Sequence, residues 1–352
     1  MGVAMQLNNI QFLRFVAVFL VVTSHTVVEI WGRLGFAGEF GYWHQVGGAG
    51  VDIFFVISGF VITLSTAKAA AAGGADASWH FLLRRIIRIV PLYWIYTVVK
   101  ALVVVFVGSR AFNSTIAPEY FLKSIFFIPA TNPAGNVLPL LESGWTLSYE
   151  MLFYLSFALA IWVRKPPLRF CLVLMSLVFA LGVVFSDQVV IGFFGRTLLF
   201  EFLCGGLIAR LWTWRRPLPA YLAPALLLFA GLALFVFPAA QVDRLFAVGL
   251  PAAALVMGMA WLERYRAISR LSGHFRLFGD ASYTIYLSHG LSMPVFIMLA
   301  QKAGLHAMPV IFTFTVVGVF AVGCVLYVAG ERPLTVWLNR QVGRKVAVAS
   351  TT

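Results

Sequence analysis

Arg14 and His25 are eleven residues apart. At about 100° and 1.5 Å per residue they leave the same face of a helix, roughly 16 Å apart along its axis. An imidazole, with an ordinary pKa of about 6.5, can take a proton from a poor nucleophile such as a hydroxyl. It can equally be a core histidine satisfied by a backbone carbonyl. Arg14 can hold an anion, or it can reach back to the headgroups as a snorkelling side chain. Two carboxylates stand where they could orient His25 and raise its basicity. Glu29 lies one turn further along the same helix, and Asp52 enters the next apolar segment from the same side. Asp52 can also cap that helix.

Arg84, Arg85 and Arg88 form a second group. Arg88 is four residues from Arg84 and three from Arg85, so all three share one helix face. Three guanidiniums gathered in this way suit phosphate, which they bind through paired hydrogen bonds. The alternative is a cationic anchor at a membrane edge, but Arg88 lies a turn deeper than an anchor requires. Further along, Trp145, Ser148, Glu150 and Tyr154 open one apolar segment, and Glu201 sits near the middle of another. Tyr283, Tyr286 and His289 recur every third residue, a polar stripe that starts just after Asp280, itself a natural N-cap. Any one of these can be a bond between helices. Together with His25, Asp52 and Glu150 they outline a polar cavity. No cysteine pattern points to a metal: Cys171, Cys204 and Cys324 all fall in apolar stretches.

The elements that must position these groups follow from composition. Of 352 residues, 61% are hydrophobic and only 11% charged. A soluble domain carries about 25% charged residues, so a soluble enzyme, a disordered chain and a disulfide scaffold are excluded. Ten apolar segments run over 10–31, 51–67, 86–107, 145–163, 168–186, 193–211, 218–237, 245–262, 281–302 and 308–330. They predict an all-α, polytopic membrane helix bundle of about ten transmembrane helices. The net charge of +13 is then topogenic and does not point to nucleic acid. Eighteen of the 26 Lys and Arg fall in alternate connectors, against six (Arg33, Arg110, Lys123, Arg196, Arg244, Lys302) in the others. That alternation places both termini in the cytoplasm. The longest connector, 108–144, then lies outside, and its short apolar run 120–128 reads as a segment packed on the bundle. The Ala/Gly stretch 67–77 reads as a flexible cytoplasmic loop.

In this order, Arg14 with His25, GVDIFFVISGF, RRIIRIVPLYW, WTLSYEMLFY, SYTIYLSH and the closing Glu331-Arg332-Pro333 resemble the acyltransferase-3 family of integral membrane acyltransferases. The likeness covers about residues 8–335, and the opening Asn9-Ile10-Gln11-Phe12-Leu13-Arg14 is most similar to members that acetylate bacterial exopolysaccharides. The resemblance implies O-acyl transfer, usually acetyl, from cytosolic acyl-CoA to hydroxyls of cell-surface glycans or their lipid-linked precursors. The family's first-helix Arg and His fall on Arg14 and His25, and its third-helix R-x-x-R on Arg85 and Arg88.

The expectation is a multi-pass protein of the bacterial cytoplasmic membrane, with residues 1–352 forming a single acyltransferase domain. The esterase-like domain of some members is not expected. Acetyl-CoA is the expected donor, with no permanently bound cofactor and no metal, and the oligomeric state is left open. His25, Asp52 and Glu150 are the expected catalytic groups. Arg14, Arg84, Arg85 and Arg88 are expected to hold the donor. Glu29, Trp145, Ser148, Tyr154, Glu201, Tyr286 and His289 are expected to meet substrate. The competing classes are a polytopic transporter, whose polar residues would mark a transport path, and a non-catalytic subunit of polysaccharide export.

Overall fold

The computed structural model describes residues 7–34, 41–107, 116–213, 219, 221–236 and 242–349. Arg110, Arg215 and Arg216, counted in the charge alternation, lie outside them. The described residues form sixteen α-helices and no strand. Each of the ten apolar segments contains a helix among the described residues. They correspond to α1 (Asn8–Leu34), α2 (Gly41–Ser65), α4 (Ala75–Val107), α6 (Trp145–Trp162), α7 (Pro167–Val184), α9 (Leu199–Thr213), α10 (Leu222–Val236), α11 (Leu250–Leu262), α14 (Ser282–Lys302) and α15 (Met308–Leu326). Among the described residues seven stretches are long and apolar enough to cross a membrane; α6, α9 and α10 are the three expected spans outside that set.

Backbone contact sets the centre of the bundle. Glycines on α2 and α9 face each other: a Cβ on Gly59 would lie 1.9 Å from the Phe202 carbonyl oxygen, and one on Gly205 the same distance from that of Val56. Small residues let membrane helices approach this closely, and van der Waals packing then holds them. The α1–α2 crossing is equally tight. A Cβ on Gly47 would meet Ser24 Cβ at 1.9 Å, and one on Gly50 would meet the Ala17 carbonyl oxygen at 2.3 Å. These contacts fix an antiparallel register between α1 and α2.

The start of α1 is pinned from the far end of the sequence. Glu263, just after α11, accepts hydrogen bonds from the backbone N–H groups of Asn8 (2.9 Å) and Asn9 (2.8 Å). Asn9 Nδ2 donates to the Met259 carbonyl oxygen at 3.2 Å. A carboxylate at a helix N-terminus satisfies orphan N–H groups and meets the positive end of the helix dipole. Arg14 lies little more than a turn beyond this anchor.

Several local readings change. The Ala/Gly stretch folds as a short helix, α3 (Ala67–Ala72), because alanine has the best helix propensity. Gly73 and Gly74 then turn the chain at φ +63 and +89, a conformation glycine adopts without strain. Helix α4 therefore begins at Ala75, and the arginines lie well inside it. Asp52 is no cap, because α2 starts at Gly41. Nor is Asp280: it closes a short helix, α13 (Arg276–Asp280), and pairs with Arg276 at 3.4 Å.

The apolar run after residue 118 docks as a surface helix, α5 (Pro118–Ile125). Tyr93 and Trp94 of α4 donate to its Ser124 and Ile125 carbonyls at 2.8 and 3.0 Å. At the other end of the chain α15 runs through a π turn, Tyr327–Glu331, into α16 (Arg332–Ala349). The turn buries Glu331, whose carboxylate accepts a hydrogen bond from Thr284 of α14.

Candidate active site

A cavity of about 1000 Å³ lies between α1, α2, α4, α6, α9 and α14. That is the upper end of the usual range for small-molecule sites. Leu7, Ser65 and Thr213, where three helices begin or finish, mark one end with Arg84 beside them; Val51, Phe54, Thr146 and Tyr286 mark the other. The structure brings Arg14, Arg84, Arg85 and Arg88 onto this one cavity, along with Glu150, Tyr154 and Tyr286. Arg14 and the trio come from helices seventy residues apart, and each was read from the sequence by itself.

Four guanidiniums and one carboxylate, Glu150, line the wall, and Glu331 lies close behind Arg14 and Arg88, so cations still outnumber acids and the cavity favours an anion. Arg85 is held in place: Nη2 donates to Ser65 Oγ at 3.1 Å and its carbon lies 5.8 Å from the Phe81 ring centre. Arg84 Nε donates to the His80 carbonyl at 3.2 Å. Among the described residues no protein acceptor takes a hydrogen bond from Arg14 or Arg88. Their planar donor sets remain available for a ligand, and they are partly buried, where a charged hydrogen bond contributes more than at a wet surface.

Glu150 is positioned by two hydroxyls. Tyr154, one turn along α6, and Ser58 of α2 (3.1 Å) both donate to its Oε1. At the inner end the Tyr286 hydroxyl and Thr146 Oγ1 are 3.1 Å apart. Tyr283 donates to the Ile89 carbonyl at 2.9 Å and ties α14 to α4.

The polar stripe on α14 continues past the cavity. His289 is buried, and its Nδ1 lies 2.6 Å from the Tyr286 carbonyl oxygen. A carbonyl oxygen only accepts, so Nδ1 carries the proton and donates. The His25 ring meets His289 edge-on, with ring centres 5.0 Å apart. His25 itself is exposed and does not line the large cavity. The two histidines therefore stand behind the cavity's inner end, with His25 on the accessible side.

The expected carboxylate partners of His25 are engaged elsewhere. Asp52 is fully buried and paired with Arg244: Nε to Oδ1 at 3.0 Å and Nη2 to Oδ2 at 2.6 Å. The α1–α2 register explains this. Gly47 is level with Leu20 and Ser24, and Gly50 with Ala17 and Val21. Asp52 is then level with about residue 17, some eight residues and about 12 Å below His25. Glu29 pairs with Arg33 at 2.5 Å on a half-exposed surface. Glu201 is completely buried beside Asp52 and Arg244, with Oε1 against Gly249. Trp145 faces a second, smaller cavity, and Ser148 is buried within α6.

A model of the acyltransferase-3 family, described as an acyltransferase domain, matches residues 7–328. The chain belongs to the acyltransferase-3 family. It is 34% identical over 320 residues to exopolysaccharide production protein ExoZ of Rhizobium meliloti (strain 1021), covering 88% of this chain and 95% of that protein. It is 26% identical to the peptidoglycan O-acetyltransferase OatA of Listeria monocytogenes, covering 97% of this chain and 60% of that one. No solved structure matches. Membership in the acyltransferase-3 family, with the apolar helices, makes this chain a multi-pass membrane O-acyltransferase. An enzyme is thereby chosen over a transporter or an export subunit.

Ser58, Ser65 and Arg244 are functional neighbours that sequence reasoning missed. Ser58 lies inside the GVDIFFVISGF segment, whose acid alone was singled out. Arg244 was counted only as a stray outer cation; its partner is 192 residues away.

Proposed function

We propose that this acyltransferase moves an acyl group, acetyl in our reading, from cytosolic acyl-CoA to a hydroxyl of a cell-surface polysaccharide or its lipid-linked precursor. The protein sits in the bacterial cytoplasmic membrane with both termini inside. The observation that carries the reading is the convergence of Arg14, Arg84, Arg85 and Arg88 on one cavity of about 1000 Å³. CoA brings phosphates, which need cations on the cytosolic side, and the charge alternation puts the Arg84 end of the cavity there.

In this reading the phosphates stay with the arginines and the thioester reaches inward to Thr146 and Tyr286. The acceptor approaches His25 from the outer side. Its hydroxyl oxygen attacks the thioester carbon as His25 takes the hydroxyl proton. The tetrahedral adduct then collapses: the carbon–sulfur bond breaks, the ester remains on the sugar, and the imidazolium returns the proton to the CoA thiolate. His289 holds the His25 ring from behind. Glu150, fixed by Tyr154 and Ser58, faces the donor from the cavity wall.

ExoZ is named for exopolysaccharide production and OatA for O-acetylation of peptidoglycan, and both names support a surface-glycan acceptor. The test is CoA release by the purified protein in lipid nanodiscs, with and without surface glycan. Acceptor-dependent CoA release with an ester gained on the glycan is expected; its absence overturns the reading. The topology is tested separately. Cysteines at Lys68 and Arg270 in a cysteine-free background should resist an impermeant thiol reagent in intact cells, and labelling of either would invert it.

A further inference from the structure

A second cavity, of about 410 Å³, lies against the first turn of α6. Trp145 lines it, whereas the next residue, Thr146, lines the large cavity. Consecutive side chains point about 100° apart, so the two spaces lie on different sides of the same first turn of α6. The other walls come from Arg196 and Thr197, just ahead of α9, and from Asp243 and Arg244, ahead of α11. Arg196 and Asp243 are exposed, so the cavity reaches the surface.

Its polar groups are fixed, with hydrogen-bonding capacity left over. Asp243 Oδ1 accepts from Thr197 Oγ1 at 3.0 Å and from the Leu245 N–H at 2.9 Å. Those bonds leave Oδ2 for another donor. Arg244 donates through Nε and Nη2 to Asp52, and through Nη2 to the Gly48 carbonyl at 3.1 Å. Those bonds leave the two Nη1 hydrogens. The Arg196 carbon lies 5.9 Å from the Phe193 ring centre.

The charge balance distinguishes this cavity from its neighbour. Here two arginines share the wall with Asp243, and Asp52 and Glu201 lie directly behind. The large cavity has four arginines with Glu150 on its wall and Glu331 behind, so it keeps an excess of cations. A neutral site that combines an indole, a carboxylate and guanidiniums fits a polyhydroxyl ring. The indole covers the ring's C–H face, while the carboxylate accepts from sugar hydroxyls and the guanidiniums donate to them. It does not fit an anion such as a lipid diphosphate.

We propose that the cavity lined by Trp145, Arg196, Thr197, Asp243 and Arg244 binds a neutral sugar unit of the acceptor glycan. This deepens the acyl-transfer reading and rests on it. A sugar held against Trp145 lies across the first turn of α6 from the acyl end at Tyr286 and Thr146, the residue adjacent to Trp145.

The probe is the producing cell's own surface glycan, freed of O-esters by mild alkali and added to the full-length protein in nanodiscs with acetyl-CoA. Trp145→Ala and Asp243→Asn should each raise the half-saturating glycan concentration by about tenfold or more, the effect of losing one such contact. CoA affinity, measured by calorimetry, should stay within about twofold of wild type, inside the weight of one weak contact. Asp243 is exposed, so its variant tests the site even where Trp145→Ala fails to fold. Unchanged half-saturation for Asp243→Asn overturns the proposal. So does a steep rise in the wild-type half-saturation at about 0.5 M salt, where screening would expose an anion site. If the wild-type protein transfers nothing to the glycan, the acyl-transfer reading itself falls, which is a different result.

Discussion

Arg88 and Arg244 are both arginines inside an apolar bundle, and they do opposite things with their hydrogens. Arg244 spends Nε and Nη2 on the fully buried Asp52. Arg88 shares a cavity with three more guanidiniums and gives no hydrogen bond to any described protein acceptor. A buried charge in a membrane protein is a functional candidate by default, yet burial alone does not separate these two. Where the donor hydrogens go does. Arg244 gives most of its hydrogens to the frame and keeps only Nη1 for a ligand. Arg88 has Glu331 nearby but bonds to nothing among the described residues, so its whole donor set is open to a ligand.

His25→Ala tests the chemistry apart from either arginine. General-base catalysis is typically worth about 10²–10⁴ in rate, so transfer should fall by that factor with CoA affinity unchanged. Equal loss of CoA binding would merge the two regions that the structure keeps apart. Arg244→Ala should do the reverse damage. Asp52 is fully buried but the Arg244 side chain is 40% exposed, so the cost falls below the about 3–5 kcal/mol of a fully buried pair and reads as a lower melting temperature in detergent. The double variant Asp52→Asn/Arg244→Gln should regain most of that stability; a double variant as weak as the single would mean the pair is not the frame.

Arg88→Lys sharpens the other side of the comparison. It keeps the charge and loses the paired geometry, so CoA should bind roughly ten- to hundred-fold more weakly with an unaltered melting temperature. Wild-type affinity in both Arg88→Lys and Arg88→Ala would make the trio an anchor. The smallest effect belongs to the α1 anchor. Glu263→Gln keeps an acceptor and loses the charge at the helix N-terminus, which costs about 1 kcal/mol or less. A slight drop in melting temperature with near-normal transfer is expected.

Much of this was legible from the residues. Long apolar runs announce membrane helices because hydrocarbon demands them. The arginine trio shares a face because three- and four-residue spacings do so on any helix, and the α14 stripe from Tyr283 to His289 follows the same rule. What failed needed a second helix. Asp52 looked like a partner for His25 because both enter from one side. The α1–α2 register, set by Gly47 and Gly50 against α1, puts them about 12 Å apart along the axis. Arg244, its real partner, is 192 residues away, and no local spacing reveals it. Glu201 sits mid-helix as expected, but beside that pair instead of in the large cavity. Asp280 and the Ala/Gly stretch failed for a simpler reason: a short helix formed where a cap or a loop was read.

Glu263 gives the molecule a timetable. It holds the first turn of α1 from 255 residues further along the chain. A ribosome adding about 5–20 residues per second needs roughly 10–50 s to cover that interval. Among the described helices, the one that carries Arg14 and His25 is made first, and its anchor is made only after α11. A truncated or stalled chain therefore carries α1 without its anchor, and the donor site is completed late in synthesis.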